Sequence, residues 1–414
     1  MEPNRFRHYI GIDWATEAHW ICLLDQDGKL CGKLTVPHSG AGLSDLQEWL
    51  ASHGVMASLA AVGIETTRGA VVETLVERGY AVFAINPKQL DRFRDRYTAA
   101  GAKDDDRDAW CLASALRTDP QAFREVSVDS EELICLRELY RTYEELSVDV
   151  QRHASRLSEQ LRRYYPEMLA LCAAADQPWL WDLIELAPLP ETAQKITALQ
   201  VGAVLERRRI RRWEAEQILA VLRVKALSLA PGSDTAASQH ALVLIEQLRT
   251  AHALRKKTLK NIGLQLRKLR VRKDPEIPSD AEIIDSLPGA GTLTVAAALS
   301  EGSQAIAQRS REMLRAHAGV APVTRQSGKT RGVGMRYACN HRLSNALHHF
   351  GLASLRDPVA RRQYDELRRQ GHSHARALRG INDRWLTVLI AMLRSGQLYD
   401  VDRRRDAHAV ERPQ

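Results

Sequence analysis

Nothing in this 414-residue chain approaches the run of about 18 apolar residues that a membrane-spanning helix needs. The opening residues, Met1 to Tyr9, lead straight into a strand-like stretch and lack an apolar signal region. The cysteines (Cys22, Cys31, Cys111, Cys135, Cys172 and Cys339) are scattered without a C-x-x-C pair, so neither a zinc site nor a disulfide framework is expected. A reduced, cytoplasmic protein with no membrane partner follows as the expectation. His348-His349 and His372-x-His374 are too closely spaced for a helical metal pair. Aromatic residues make up only 6% of the chain and are sparse in its basic segments, which argues against a base-stacking platform for single strands. Lys329 is not a P-loop lysine, because the G-x-x-x-x-G-K-[ST] spacing is missing.

What is present is an ordinary globular composition with an uneven charge. Apolar residues at 44% and charged residues at 27% exclude wholesale disorder, and the length predicts two to four domains. The formal net charge is +8, but residues 1–120 carry 13 basic and 17 acidic side chains, or −4. Residues 121–275 stand at +5 and 276–414 at +7. A basic back two-thirds points to a polyanionic partner, with an ordinary solvated surface as the plain alternative.

Four segments are expected: 1–125, 126–275, 276–400 and a polar tail at 401–414. The first alternates strands and helices. Strands are predicted at Tyr9 to Trp14, Trp20 to Leu24, about Lys29 to Val36, Ser58 to Glu65 and Ala81 to Asn86, with helices over Leu43 to Leu50 and Val71 to Arg78. Three strands in meander followed by strand–helix repeats describe an α/β sheet of the RNase H/RuvC-like kind. From Glu131 the pattern turns helical. Leu136, Tyr143, Val150, Leu157 and Tyr164 recur every seventh residue, with Leu139 and Leu146 alongside, giving a seam for a coiled coil or an antiparallel helix pair. In 251–273, Leu254, Ile262, Leu266 and Leu269 alternate with nine Lys/Arg and no acid. Arg255, Lys256, Lys257, Lys260, Arg267, Lys268 and Arg270 there are candidate phosphate contacts. Pro275 and Pro278 precede a last helical domain.

Four carboxylates carry the chemistry of the front segment. Asp13 interrupts an apolar strand, where a charge is costly to bury without a partner. Glu65 ends the fourth strand, and Asp105 and Asp108 share a face at the start of a helix. Asp104 and Asp106 are possible substitutes for Asp105. Acids from two strands and a helix converging at one sheet edge would offer hard oxygen donors suited to Mg²⁺ or Mn²⁺. Two such ions serve phosphodiester cleavage. The competing reading is a helix start that favours acids and two isolated salt-bridge partners.

The Gly-Ile-Asp strand, the Ile-Glu-Thr strand end and the Lys-x-Asp-x-x-Asp-Ala helix start resemble the RuvC-like DEDD domain of the Piv invertase and its related insertion-sequence transposases, the recombinases guided by a bridge RNA. Leu287-Pro-Gly-Ala-Gly-Thr-Leu-Thr resembles that family's helix-hairpin-helix-like turn, and Ala318-Gly-Val-Ala-Pro its next signature. Gln326-Ser-Gly stands where the family has its serine, and Ala338-Cys-Asn-His-Arg-Leu and Ile381-Asn-Asp-Arg-Trp fit the later helices. The resemblance covers roughly 1–125 and 280–400. It implies a metal-dependent DNA recombinase in which Ser327 attacks the scissile phosphate and forms a covalent phosphoserine–DNA intermediate. It also implies donor and target DNA as substrates, a bridge RNA as guide, and a homo-oligomer joined through the 131–165 heptads.

The residues permit that chemistry independently. The glycines of Pro288-Gly289-Ala290-Gly291 bare backbone N–H groups before a helix, which suits a phosphate oxygen or serves a plain helix-to-helix turn. Ser327 lies in a loop with Arg325, Lys329, Arg331 and Arg336, cations that could neutralise charge developing on phosphate. Two rival functions stand beside the recombinase. One is a hydrolytic RuvC-like junction-resolving nuclease in which Ser327 is structural, and the other is a non-catalytic nucleic-acid-binding protein.

Overall fold

Period-two alternation sets the front of the molecule. The computed structural model describes residues 5–96, 105–126, 129–272, 274–328 and 330–401, and the chain divides into two compact units at Val128/Asp129. In the first, β1 (His8–Trp14), β2 (Ala18–Asp25) and β3 (Leu30–Pro37) form an antiparallel meander. β4 (Ala60–Ile64) lies parallel to β1, β5 (Ala81–Ala84) lies parallel to β4, and β6 (Arg124–Glu125) closes that edge antiparallel. The order is β3-β2-β1-β4-β5-β6. Helices α1 (Gly40–Ser52), α2 (Ala70–Glu77), α3 (Pro87–Arg94) and α4 (Asp105–Thr118) cover the sheet. Ile10 and Ile12 of β1 pack with Leu46 and Leu50 of α1 and Val71 and Leu75 of α2. Tyr9 belongs to the opposite face, with Leu90 of α3 and Leu112 and Leu116 of α4. β4 is buried along its whole length, as its unbroken apolar run predicts.

Glycine decides how closely α4 approaches. A Cβ on Gly11 would collide with the Ala109 carbonyl oxygen and lie 2.6 Å from the Ala113 nitrogen. One on Gly63 would meet the Leu112 carbonyl oxygen at 3.1 Å. The helix backbone therefore rests directly on β1, and a side chain at Gly11 would lift it off.

The second unit is built on two long helices, α5 (Glu131–Tyr164) and α11 (Ser233–Leu269). Between them run α6 (Glu167–Leu171), α7 (Pro178–Leu186), α8 (Pro190–Ala193), α9 (Ala198–Arg208) and α10 (Ala215–Leu222). The long pair is antiparallel. Leu136 and Tyr140 near the start of α5 share a core with Ile262 and Leu266 near the end of α11, whereas Leu157 and Leu161 pack with Ala241, Leu244 and Leu248. Much of the heptad seam is thus packed against α11 of the same chain, while Leu139, Tyr143 and Leu146 stay half-buried. Leu254 departs from its expected core position and is 47% exposed, because α11 turns Ala251, Thr258 and Ile262 inward instead.

After α11 come α12 (Asp280–Asp285), α13 (Thr292–Glu301), α14 (Ser303–Ala307), α15 (Arg311–His317), α16 (His341–Ser354), α17 (Pro358–Arg369) and α18 (His374–Ser395). Their core includes Val295, Phe350, Trp385 and Leu389 together with Leu136, Tyr140, Ile262 and Leu266. Segments 126–275 and 276–400, distinct in sequence pattern, therefore share one core at the base of the helix pair. The helical run is interrupted by a hairpin, β7 (Val323–Ser327) and β8 (Thr330–Gly334). Among the described residues, no helix is long and apolar enough to cross a membrane.

Candidate active site

The acidic set begins with a register. Ile12 of β1 pairs with Ile64 of β4, so Asp13 and Glu65 each follow an aligned position on parallel neighbours about 4.8 Å apart. Within β1 the alternation that turns Tyr9 toward α4 sends Asp13 the same way, two residues beyond the Gly11 contact with Ala109. Both carboxylates are half-buried, and β4 itself closes at Ile64, one residue before Glu65.

On α4 the acids differ in their surroundings. Asp105 is half-buried in the first turn. Asp106 is held by Lys33 of β3, with Nζ 3.1 Å from its carboxylate. Asp108 is only 3% exposed and pairs with Arg94 of α3, Nε to Oδ1 2.9 Å; Arg94 also reaches Asp91 at 3.1 Å. Asp104 lies outside the described residues. Behind the acids, burial pushes the Cys22 thiol up to about 12 and raises that of Cys111.

This set fits a divalent ion in donor chemistry and in its placement on one face of the sheet. Among the described residues, however, no three His, Cys, Asp or Glu side chains stand close enough to hold a metal. The convergence expected from sequence is one of backbone positions; closing the carboxylates round an ion requires side-chain rotation and release of Asp108 from Arg94. Arg94 was invisible in the sequence because it lies 14 residues upstream, beyond the fifth strand, in a stretch to which no element was assigned.

Ser327 sits at the end of β7, where a loop was expected. Arg325 pairs with Gly332 and Ser327 with Thr330, leaving a two-residue turn that begins at Gly328, φ 54°. Residues two apart share a strand face, so Arg325 and Ser327 point to the same side, and both are exposed. Arg336 donates from Nε to the Ala321 carbonyl at 3.4 Å and so braces the base of the arm. Lys329 and the side chain of Arg331 lie outside the described residues.

The two glycines of the turn before α13 differ. Gly289, at φ 83°, abuts Ala353 and Ser354 of α16, where a Cβ would fall 2.6 Å from the Ala353 carbonyl carbon. Close packing requires it, whatever else the turn does. Gly291 has open space at its Cβ position and is the N-cap residue of α13. On α11, Lys256, Lys257, Lys260, Arg267 and Lys268 are exposed and Arg255 is half-buried. Arg270 is engaged within the fold, its Nη2 2.8 Å from Asp285 of α12.

Comparison with known proteins accounts for both chemical segments. A transposase family model, of the DEDD type of IS110, matches residues 10–166, and the model of the IS116/IS110/IS902 transposase family matches residues 281–365. The candidate mini-circle transposase for IS117 of Streptomyces coelicolor is 32% identical over 95% of this chain and 96% of its own length. The y4uE protein of Sinorhizobium fredii, also named as a candidate transposase, is 48% identical over 50% of this chain, an alignment spanning 59% of that protein. An IS116 protein of Streptomyces clavuligerus is 25% identical over 96% of this chain and 98% of its own length. With the acids on one sheet face, the serine on its arm and similarity to the IS117 and IS116 proteins over nearly the whole chain, the chain belongs to the IS110/IS116 family of DNA transposases.

Proposed function

We propose that this protein is a site-specific recombinase that cuts and exchanges DNA strands for an insertion sequence. In this reading Asp13, Glu65, Asp105 and Asp108 hold Mg²⁺, or Mn²⁺ in its place, and Ser327 is the nucleophile. The observation that carries it is the parallel register of β1 and β4, which sets Asp13 beside Glu65 on adjacent strands. The order β3-β2-β1-β4-β5, antiparallel and then parallel, supports an RNase H/RuvC-like assignment. The Lys33 contact on Asp106 favours Asp105 as the ligand.

The serine Oγ attacks the scissile phosphorus. An Oγ–P ester forms as the bond from phosphorus to the leaving deoxyribose oxygen breaks; the hydroxyl proton leaves to water and the leaving oxygen takes one up. Arg325, on the same strand face as Ser327, neutralises charge growing on the non-bridging oxygens, with Lys329 and Arg331 close by in sequence. A bound divalent ion supplies Lewis-acid stabilisation of the phosphoryl group. The α11 cations and the open N-terminus of α13 at Gly291 hold phosphates away from the cut. A bridge RNA selects donor and target DNA, and exchange between two duplexes calls for a homo-oligomer, for which the half-buried residues of the 131–165 helix are the candidate contact.

The test is to incubate the protein with Mg²⁺ and its element-end DNA, stop the reaction in denaturant and look for a protein–DNA adduct. Wild type is expected to give one and Ser327→Ala none. If wild type gives no adduct while Ser327→Ala still cleaves, the hydrolytic junction-resolving nuclease is the correct function. No cleavage and no adduct from wild type, with DNA binding unchanged in Asp13→Ala, would leave only a nucleic-acid-binding role.

A further inference from the structure

The far end of the helix pair carries a feature that the catalytic reading does not use. Arg207, Arg208, Arg209, Arg211 and Arg212 fall within six residues at the close of α9, and all are exposed. They surround a buried acid. The side chain of Asp182, on α7, is 2% exposed and accepts from Arg207 Nη2 at 2.7 Å, from Arg208 Nε at 2.6 Å and from Arg249 Nη2 at 2.5 Å. Arg249 also reaches Glu185 at 2.6 Å. Arg212 lies over the Trp179 ring, 5.5 Å from its centroid, and donates to Gln177 Oε1 at 3.2 Å. Long flexible cations are thus fastened with their guanidinium groups at fixed places on the surface.

Three observations indicate what this face receives. Six arginines stand against Asp182, Glu185, Glu206 and Glu214, so the patch is positive. It continues onto α11, where burial lowers the His252 pKa and Arg255, Lys256 and Arg208 lower it further. Beyond it, Arg249, Lys256, Lys260 and Arg267 recur at intervals of seven, four and seven, one helix face about 27 Å long at 1.5 Å per residue. The second observation is the backbone of Arg209. It closes α9 in the left-handed region at φ 56°, with the Ile210 N–H donating back to the Leu205 carbonyl, a position that glycine occupies at lower cost. Arg209 thus carries a charge at that point at some cost in backbone strain. The third is that Trp179 and Trp181 are 2% and 1% exposed and Trp213 is half-buried against the same core, so among the described residues of this tip no tryptophan ring stands free for stacking unpaired bases. A rigid cationic track without an aromatic platform matches regularly spaced phosphates on a duplex, and this family acts on DNA.

We infer that the arginine face at residues 207–212, where Asp182 holds Arg207 and Arg208 and from which the charge continues along α11, is a docking surface for the phosphate backbone of duplex DNA, separate from the Ser327 arm. The inference rests on the chain handling DNA, as in the proposed function, but not on Ser327 chemistry.

The experiment uses the full chain in EDTA with a 20-bp DNA duplex of arbitrary sequence, its RNA-duplex counterpart, and a KCl titration from about 50 to 200 mM. The combined substitution Arg207→Ala, Arg209→Gly, Arg211→Ala is expected to lower the slope of log K against log salt by about 2 to 3 and to weaken DNA binding at 100 mM at least about 30-fold. Removing three exposed arginines of α17 (Arg361, Arg362 and Arg369, each to Ala) is expected to change it less than about threefold. Arg209→Gly alone is expected to melt no lower than wild type while binding DNA more weakly, separating the surface role from folding. DNA affinity unchanged in the triple variant, equal losses in the α17 control, or a loss confined to the RNA duplex would each overturn the inference. The adduct assay keeps the two readings apart. An adduct with an unchanged salt slope defeats only the docking surface, and no adduct with the expected slope change defeats only the serine mechanism.

Discussion

The acids and the serine are presented in opposite ways. Asp13 and Glu65 are set by hydrogen-bonded strands with a helix pressed against them, so their backbone positions follow from the rigidity of the sheet. Ser327 stands at the exposed tip of a two-stranded arm whose flanking Val333 and Tyr337 are 64% and 76% exposed. An isolated two-stranded hairpin is marginal by itself. The contrast suits the chemistry proposed for each: ligands gain from being held before substrate arrives, whereas a nucleophile that becomes bonded to DNA and then passes the strand on gains from an arm.

The sharpest way to break this contrast is to remove one chemical group from each side. Asp13→Asn and Ser327→Ala should each reduce strand cleavage by at least about 10³-fold, while leaving melting temperature and DNA affinity near wild type. Circular dichroism melts and adduct gels on both variants check it, and activity within tenfold of wild type would remove that residue from the mechanism.

Next in size comes a pair of positions on the long helices. Leu157→Ala empties a fully buried site between α5 and α11 and should cost about 2–5 kcal/mol in urea unfolding. Leu254→Ala, on the same pair but 47% exposed, should cost under about 0.5 kcal/mol. Comparable losses would mean that Leu254 is covered in solution.

Two glycines sharpen the comparison of sheet and arm. Gly11→Ala forces α4 away from β1 and should destabilise the first unit by about 2–3 kcal/mol. Gly328→Ala, with open space around it but a left-handed backbone, should cost only about 1 kcal/mol. Thermal melts distinguish them; equal costs would show the arm to be as tightly packed as the sheet.

The smallest effect is a titration. Hydrogen bonds from Arg208, Arg249 and Arg207 overcome the burial of Asp182 and hold its carboxyl down to about 2, from an ordinary 3.8. Because the folded value is the lower one, the stabilisation is fully present above pH 4 and is lost as pH falls from there through about 2. It amounts to about 2 to 2.5 kcal/mol. Asp182→Asn should therefore flatten the acid limb of the stability curve, and an unchanged limb would show that other carboxylates set it.

Much of the first unit was legible because alternation and apolar runs are local signals. Ile10 and Ile12 against Tyr9 and Asp13 already separate the two faces of β1. The two-residue β6 was not legible, since Arg124-Glu125 has no period to detect and is a strand only through β5. The hairpin at Ser327 was read as a loop because Gly328, Gly332 and Gly334 signal turns, whereas cross-strand pairing makes the strands. Asp13, Glu65, Asp105 and Asp108 could be picked out as acids beside apolar runs, but the Arg94 contact depends on tertiary packing. Asp182 left a trace, a lone acid in Trp179-Leu-Trp-Asp-Leu-Ile, whose arginine partners stand 25, 26 and 67 residues further on.

The antiparallel helix pair has one more consequence, for how such a protein can change. Its lower ends are built into the core around Trp385 and its upper ends into the core around Trp181, with a regular seam between. Deleting one heptad from α5 together with the facing heptad from α11 would keep both cores and the seam in register while drawing the arginine tip about 10.5 Å closer to the base. The pair thus works as an adjustable spacer. Related chains could alter the distance between the two ends by matched insertions or losses of seven residues, without redesigning either end.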